Sequence, residues 1–541
     1  MAYRDLREYI EVLDKRGLLY KITSPINKDT ELMPLVRWQF RGLPSDERRA
    51  FLFEDVYDSR GRKFTSPVAV GVLGASRLVY AAAMECEPQE IADKWSRALR
   101  NPIPPKLVST GPVKEVVLKG EELARGEGVD AFPIPISTPG FDPAPYITSP
   151  FVVTKDPETG VVNIGTYRAQ IKGLLKTGIM THQAQHIGIH LTKARKMRRP
   201  LPAAIIIGCV PAVGLVSVAK VPYGLDEYTV AGAIQGAPIE LVKCETVDVE
   251  VPATAEIVLE GEISTDILEP EAPFGEYTGY MGARADNHVF NISCITHRRN
   301  PIYQAFISQF PPSESSMIRK ISFDAALLKF LKYDCNIPAV TKVAFHEMSG
   351  SWMFLVVQLN KTNPSQPWQA LNAAVAYDPT IGKIIIAVDE DVDPDDPESV
   401  IWALSFRMQP HLDVRITTGK SSMLDPSSAP PGTGTMERRF PRPVGTSAIL
   451  IDATRKWAFP TVSLPAKEYM ERAKEIWERE GLPRLKVREP WYGYDLGWWP
   501  EDWAQDAQRA VEGRYLETGE ILASKAFPII GDDPFRQAGE K

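Results

Sequence analysis

Hydrophobic and polar positions change period several times along the chain. Leu6, Tyr9, Ile10 and Leu13 recur at helical spacing within residues 5–16, which predicts an amphipathic helix stopped by Gly17. Residues 18–22, 51–53 and 68–73 predict short strands, and 88–99 a helix that ends before Pro102, Pro104 and Pro105. A second proline-rich stretch, 132–150, favours a stiff extended path. Beyond it, runs rich in Val, Ile and Thr at 151–155, 161–170, 203–210, 247–259 and 289–297 predict strands, interrupted by helices over 181–198 and 227–235. From residue 312 the signals alternate again: a helix over 313–332, an apolar run at 383–388 typical of a buried parallel strand, and a helix over 398–408.

These patterns predict an α+β protein in four parts: an N-terminal α/β region (1–110), a strand-rich, barrel-like middle (111–311), a second α/β domain (312–490) and a tail (491–541). The tail carries Trp491, Trp498, Trp499 and Trp503, which are expected to pack on the same or a neighbouring subunit. Residues 426–443, rich in Pro, Gly and Ser, are expected to form a long surface loop.

Composition narrows the function classes. The 541 residues, 44% hydrophobic and 24% charged, are enough for a sizeable core. A net charge of -7 provides no field for a phosphate backbone or an anionic membrane, so nucleic-acid partners are not expected. No window reaches the roughly 20 apolar residues of a membrane span. The N-terminus is charged from Arg4 and lacks a signal-peptide core, which reads as cytoplasmic. Cys86, Cys209, Cys244, Cys294 and Cys335 are widely spaced and odd in number, suggesting neither a disulfide framework nor a thiolate zinc site.

Candidate chemistry lies in the middle region. Arg168 ends Asn163-x-Gly165-x-x-Arg168 on the strand predicted at 161–170, where a glycine often marks close approach to a ligand; alone, Arg168 is as easily a surface residue. Glu271 and Glu276 flank a turn made by Pro273 and Gly275, beside Phe274, Tyr277 and Tyr280. Two carboxylates near a guanidinium can hold a substrate carboxylate and deliver a proton, one Glu being ion-paired and the other raised in pKa by burial. His182, His186 and His190 recur every fourth residue, which on a helix would align three imidazoles; either they pack, or at least one binds metal with Asn163 and Glu227, a donor set suited to a Mn²⁺-like ion. Glu227 has an equally good explanation in the helix dipole, and Ala231-Gly232-Ala233 behind it would let a backbone or flat ligand come close. The acidic run from Asp389 to Asp396 looks like a metal site by composition but suits helix capping better.

Taken together, Asn163-x-x-Thr166-Tyr167-Arg168, Gln185-His186, Glu227-x-x-x-Ala231-Gly232-Ala233, Glu271-x-Pro273-Phe274-Gly275-Glu276-x-x-Gly279-Tyr280 and the run from Val388 to Asp393 followed by Trp402 resemble the UbiD family of prenylated-FMN-dependent decarboxylases. The resemblance implies a flavin-reductase-like split β-barrel for the middle region and an oligomerisation role for the third, in a homodimer or homohexamer. It implies reversible non-oxidative decarboxylation of an aromatic, heteroaromatic or α,β-unsaturated acid through a covalent prenylated-FMN adduct, with the flavin made by a UbiX-type flavin prenyltransferase. Arg168, Glu271 and Glu276 would be catalytic. Asn163, His186 and Glu227 would bind Mn²⁺ or another divalent ion such as Fe²⁺, which with K⁺ holds the flavin phosphate. Ile164, Gly165, Thr166, Tyr167, Arg168, Met180, Thr181, His182, Gln185 and His186 would wrap the cofactor. Arg284, His288 and Ser313 are candidates for the pocket wall, Arg284 or His288 as partner for a second anionic group. Rival readings are a metal-dependent hydrolase built on the His182/His186/His190 stripe and a non-catalytic flavin-binding assembly protein.

Overall fold

The computed structural model describes residues 2–526 apart from 184, 272, 283, 421–423, 429–445 and 493–496; most of the loop expected at 426–443 therefore lies outside the described residues. Contacts divide the chain into two compact units, Met1–Glu390 with Gln409–Ala453, and Asp391–Met408 with Thr454–Lys541.

The first unit begins with the expected helix, Leu6–Lys15, capped by the Asp5 carboxylate and burying Leu6, Tyr9, Ile10 and Leu13. Strands Leu19–Ile22, Ala50–Phe53 and Val68–Val70 form a four-stranded sheet completed by Tyr303–Ala305. Thus the first α/β layer is closed by chain from far downstream. Helices Leu32–Gly42 and Arg77–Ala83, not anticipated from the sequence, pack there.

The middle of the chain forms a nine-stranded sheet, mixed with helices in an α+β arrangement. Its two longest strands, Ile257–Glu271 and Ala285–His297, pair antiparallel with register breaks after Glu260 and Ile263. Such irregularities bend a strand and increase its twist, and here they curl the sheet into a half-barrel. Its apolar face is filled by Val152, Ile205, Ile207, Leu259, Ile263 and Phe290, all 2% exposed or less.

A five-stranded sheet follows, in the order Val340–Phe345, Phe354–Leu359, Ile384–Asp389, Ser447–Asp452, Val414–Thr418. Ile384–Asp389 lies between two parallel neighbours, which explains its unbroken apolar run. Helix Glu314–Lys329 begins in a capping box at Ser313, and the buried Glu314 carboxylate accepts bonds from the Gly71, Leu73 and Ile307 amides, tying the helix to the first sheet.

In the second unit, Asp391 pairs bidentately with Arg407 at 2.7 and 2.6 Å, and Asp396 caps helix Pro397–Arg407. The acidic run thus supplies a buried ion pair and a helix cap. Trp498 and Trp499 both stack edge-on against Trp503, yet all three remain near half exposed. Cysteines 86, 209, 244, 294 and 335 are free thiols, and no helix among the described residues is long and apolar enough to cross a membrane.

Candidate active site

Residues 161–170, expected as one strand, are two. Val162–Thr166 pairs with Phe151–Lys155, whereas Ala169–Gly173 pairs with Lys176–Ile179 and Tyr146–Ile147 near the other end of the sheet order. Tyr167 and Arg168 occupy the crossover between them. This break aims Arg168 away from either ladder and toward the carboxylates. A Cβ on Gly165 would lie 2.2 Å from the Tyr167 hydroxyl, so the glycine admits the folded-back Tyr167 ring.

Glu271 ends strand Ile257–Glu271 and is 1% exposed. Its carboxylate accepts from Arg168 Nε at 3.1 Å and Nη2 at 3.3 Å, and from Asn287 Nδ2 at 2.6 Å. Glu276 follows the short strand Phe274–Gly275, in a turn closed by Glu276 N to Tyr280 O at 2.9 Å, and meets Arg168 through Nη1 alone. A Cβ on Gly275 would collide with Gln309, which packs beneath this turn. Phe274 covers the guanidinium, its ring centroid 5.1 Å from the Arg168 carbon. Both carboxylates therefore pair with one arginine, correcting the expectation of one paired and one isolated acid. They are not equivalent: Glu271 is held twice by Arg168 and again by Asn287, whereas Glu276 has a single-point contact.

The histidine stripe is also revised. The helix begins at His186 and runs His186–Lys196, leaving His182 in the preceding turn. His190 is 2% exposed and shares a 2.9 Å bond between Nδ1 and the Thr154 hydroxyl, and burial draws its pKa down to about 4. His186 instead points to Glu227, with Nδ1 and Oε1 3.4 Å apart. Among the described residues no group of three His, Cys, Asp or Glu side chains is placed to hold a metal, and the three histidines do not form the single helical stripe expected.

Asn163 and Glu227 are nevertheless unfinished as protein contacts. Asn163 is 4% and Glu227 3% exposed, yet among the described residues Asn163 Nδ2 and Glu227 Oε2 have no hydrogen-bond partner. Burial raises the Glu227 carboxyl above its usual range, countered by His186. Orphaned buried polar atoms are costly, and a separation of 3.4 Å suits two neighbouring ligands on one ion better than a strong hydrogen bond. An amide oxygen, an imidazole and a carboxylate fit a divalent ion of the Mn²⁺ type. Glu227 also opens helix Glu227–Gln235, but the capping bond comes from Asp226. The space over Gly232 is taken by the Ile103 carbonyl, so the glycine there serves packing, not a ligand.

One cavity of about 320 Å³ joins the two clusters. Residues 163–168, 180–182, 185, 186, Glu227 and Glu276 line it, with Glu271 behind Arg168. Sequence reasoning missed Thr148, Ser217, Lys220, Arg319 and Trp352 on its wall. One signal was present for Arg319: with Ser315 and Phe323 it forms an i, i+4, i+8 stripe on a helix that was foreseen. The expected wall residues Arg284, His288 and Ser313 are elsewhere: Arg284 is exposed, His288 contacts the Ser264 carbonyl at 2.9 Å, and Ser313 caps its helix.

Residues 106–311 match the family model of the 3-octaprenyl-4-hydroxybenzoate carboxy-lyase Rift-related domain, and 316–453 that of the C-terminal domain of the same family. A relative in Synechocystis, an uncharacterized protein, is 32% identical over 529 residues, covering 91% of this chain and all of its own. Among solved structures, an evolved dimeric form of the UbiD-class enzyme HmfF from Pelotomaculum thermopropionicum, in complex with prFMN, is 31% identical with a TM-score of 0.74, covering 87% of this chain and 100% of that one. Vanillic acid decarboxylase from Sedimentibacter hydroxybenzoicus, in its closed form, is 27% identical with a TM-score of 0.74 over 88% of this chain and 100% of that one. With matched segments taking in more than half its length and the motif residues gathered around one cavity, the chain belongs to the UbiD family.

Proposed function

We propose that the protein is a prenylated-FMN-dependent carboxy-lyase that removes CO₂ reversibly, without net oxidation, from an aromatic, heteroaromatic or α,β-unsaturated acid. The observation that carries this reading is the asymmetric pairing of Arg168 with Glu271 and Glu276 in a cavity whose other end presents Asn163, His186 and Glu227. The resemblance to a vanillic acid decarboxylase and to a UbiD-class enzyme with bound prFMN supports it.

Glu271, itself held by Asn287, fixes the guanidinium, so Arg168 can exchange only its single-point partner. A substrate carboxylate arriving at Nη1 displaces Glu276. Deprived of its cation at 9% exposure, Glu276 rises in pKa and takes up a proton. When CO₂ leaves, Glu276 delivers that proton to the carbon, so that substrate carboxylate plus proton yields the decarboxylated product plus CO₂. Bound prenylated FMN supplies the electron sink that no side chain offers. Asn163, His186 and Glu227 would hold a divalent ion, Mn²⁺ or Fe²⁺, which with K⁺ anchors the flavin phosphate. Residues 164–168, 180–182 and 185 would wrap the ring system, with the curled sheet acting as the family's split barrel.

The same reading makes the protein a cytoplasmic homodimer or homohexamer that depends on a UbiX-type flavin prenyltransferase. Co-expression with such an enzyme, anaerobic purification and assay on a panel of aromatic and acrylic acids tests it. The expected result is a flavin absorbance band, a cofactor mass one prenyl group above FMN, and CO₂ release from at least one acid. A loaded flavin with no turnover of any acid would favour the non-catalytic flavin-binding alternative.

A further inference from the structure

The cavity contains a cation that this chemistry leaves unused. Arg319 lies on helix Glu314–Lys329 and faces the cavity together with Ser315 and Phe323. Its guanidinium carbon is 5.1 Å from the ring centroids of both Tyr277 and Trp352, and Nη1 donates to the Gly350 carbonyl at 2.7 Å. Among the described residues no carboxylate pairs with it, and Nε and Nη2 make no hydrogen bond. The other cations on this wall are matched: Arg168 by Glu271 and Glu276, Lys220 by Asp378 at 2.9 Å.

Two aromatic faces and one carbonyl hold a guanidinium flat, but they do not neutralise it. Burial draws its pKa down to about 10, which leaves it charged at neutral pH. Tyr277, on which it stacks, directly follows Glu276, so the unmatched charge belongs to the same wall as the proton-delivering turn. The fork edge formed by Nε and Nη2 is the one that grips a carboxylate in two parallel bonds.

We propose that Arg319 determines specificity by receiving a second carboxylate of the substrate, so that the preferred substrates are aromatic or unsaturated dicarboxylic acids. One carboxylate sits on Arg168 and leaves as CO₂, while the other stays on Arg319 and remains in the product. This rests on the decarboxylase reading for its first carboxylate, but the Arg319 subsite itself is a binding site and can be measured without turnover.

The test compares matched acids on the holoenzyme, benzoate against terephthalate and isophthalate, and cinnamate against its para-carboxylate, by calorimetric Kd and by steady-state kinetics. Wild type is expected to bind at least one diacid about 10- to 100-fold more tightly than its monoacid, the range of a charge-assisted hydrogen-bond pair. Arg319→Met should lose that preference through KM while leaving monoacid binding within a fewfold, and Arg319→Lys should keep part of it. No diacid preference in wild type would overturn the proposal whatever the variants do, as would an undiminished preference in Arg319→Met. If Arg319→Met does not fold, retention of only part of the preference in Arg319→Lys supports the subsite and full retention contradicts it. Diacid binding that depends on Arg319, without release of CO₂ from any acid, would keep the subsite and reject the decarboxylase reading.

Discussion

The two ends of the cavity are opposites in how completely the protein satisfies its own charges. At one end both carboxylates have partners: Arg168 pairs with Glu271 and Glu276, and Asn287 donates to Glu271. At the other, Asn163 and Glu227 each bury one polar atom with no partner among the described residues, and His186 stands 3.4 Å from a carboxylate oxygen. Folding alone completes the first cluster, whereas the second keeps the unbonded atoms that, on the proposed reading, a cation would satisfy. On the proposed reading this division would suit an enzyme that loads a flavin before it acts, with the proton-handling groups already in place and the anchoring groups completed by their ion.

The comparison breaks most sharply at Glu276. Glu276→Gln should lower turnover by about 10²- to 10⁴-fold, the usual contribution of a positioned proton donor, and a variant that kept full turnover would reassign the proton. Next comes the partner carboxylate. Glu271→Gln leaves Arg168 Nη2 facing an amide in a site 1% exposed, and breaking such a buried pair is expected to cost about 3–5 kcal/mol in denaturant melts. A loss below about 1 kcal/mol would show that Arg168 is held by other means.

At the anchoring end the pH dependence has a definite sign. His190 has a folded pKa of about 4 against an ordinary 6.5, so the native state binds the proton less readily than the unfolded chain. Its contribution is complete above the unfolded value and is lost as pH falls from there toward 4, about 3 kcal/mol in all. Melts of chelator-treated protein between pH 7 and pH 4 should show that loss in wild type and a shallower one in His190→Gln; parallel curves would exclude it. The smallest effect has the opposite sign. Glu227→Gln should stabilise chelator-treated protein by about 1–2 kcal/mol by removing a buried carboxylate whose Oε2 has no hydrogen-bond partner among the described residues, and should abolish the stabilisation expected of wild type on adding Mn²⁺. Destabilisation of the metal-free form would mean that Glu227 is already satisfied within the protein.

Much of this was legible in the sequence, for reasons that also explain what was not. Helix Leu6–Lys15 buries a single stripe, and strand Ile384–Asp389 is buried between two parallel neighbours, so their patterns read directly. The motif residues from 163–168, 185–186, 227 and 271–276 were visible as clusters of chemistry, and the fold brings them around one cavity. The crossover at Tyr167–Arg168 was not visible, because no proline or turn residue marks the switch; long-range pairing of the two halves with different strands makes it. The stripe of histidines misled because the helix starts at His186, one turn later than the spacing suggests. Arg319 reads in sequence as an ordinary helical arginine, since its lack of a carboxylate partner is a property of Tyr277, Gly350 and Trp352, residues distant in the chain.

The most direct measurement of the central claim is the flavin-to-protein ratio of two variants purified side by side after co-expression with a flavin prenyltransferase, by absorbance and intact cofactor mass. The division of the cavity predicts that Glu276→Gln retains flavin at the wild-type ratio while releasing CO₂ about 10²- to 10⁴-fold more slowly, and that Glu227→Gln emerges largely without flavin. Equal flavin in both variants, or loss from Glu276→Gln with retention in Glu227→Gln, would contradict it.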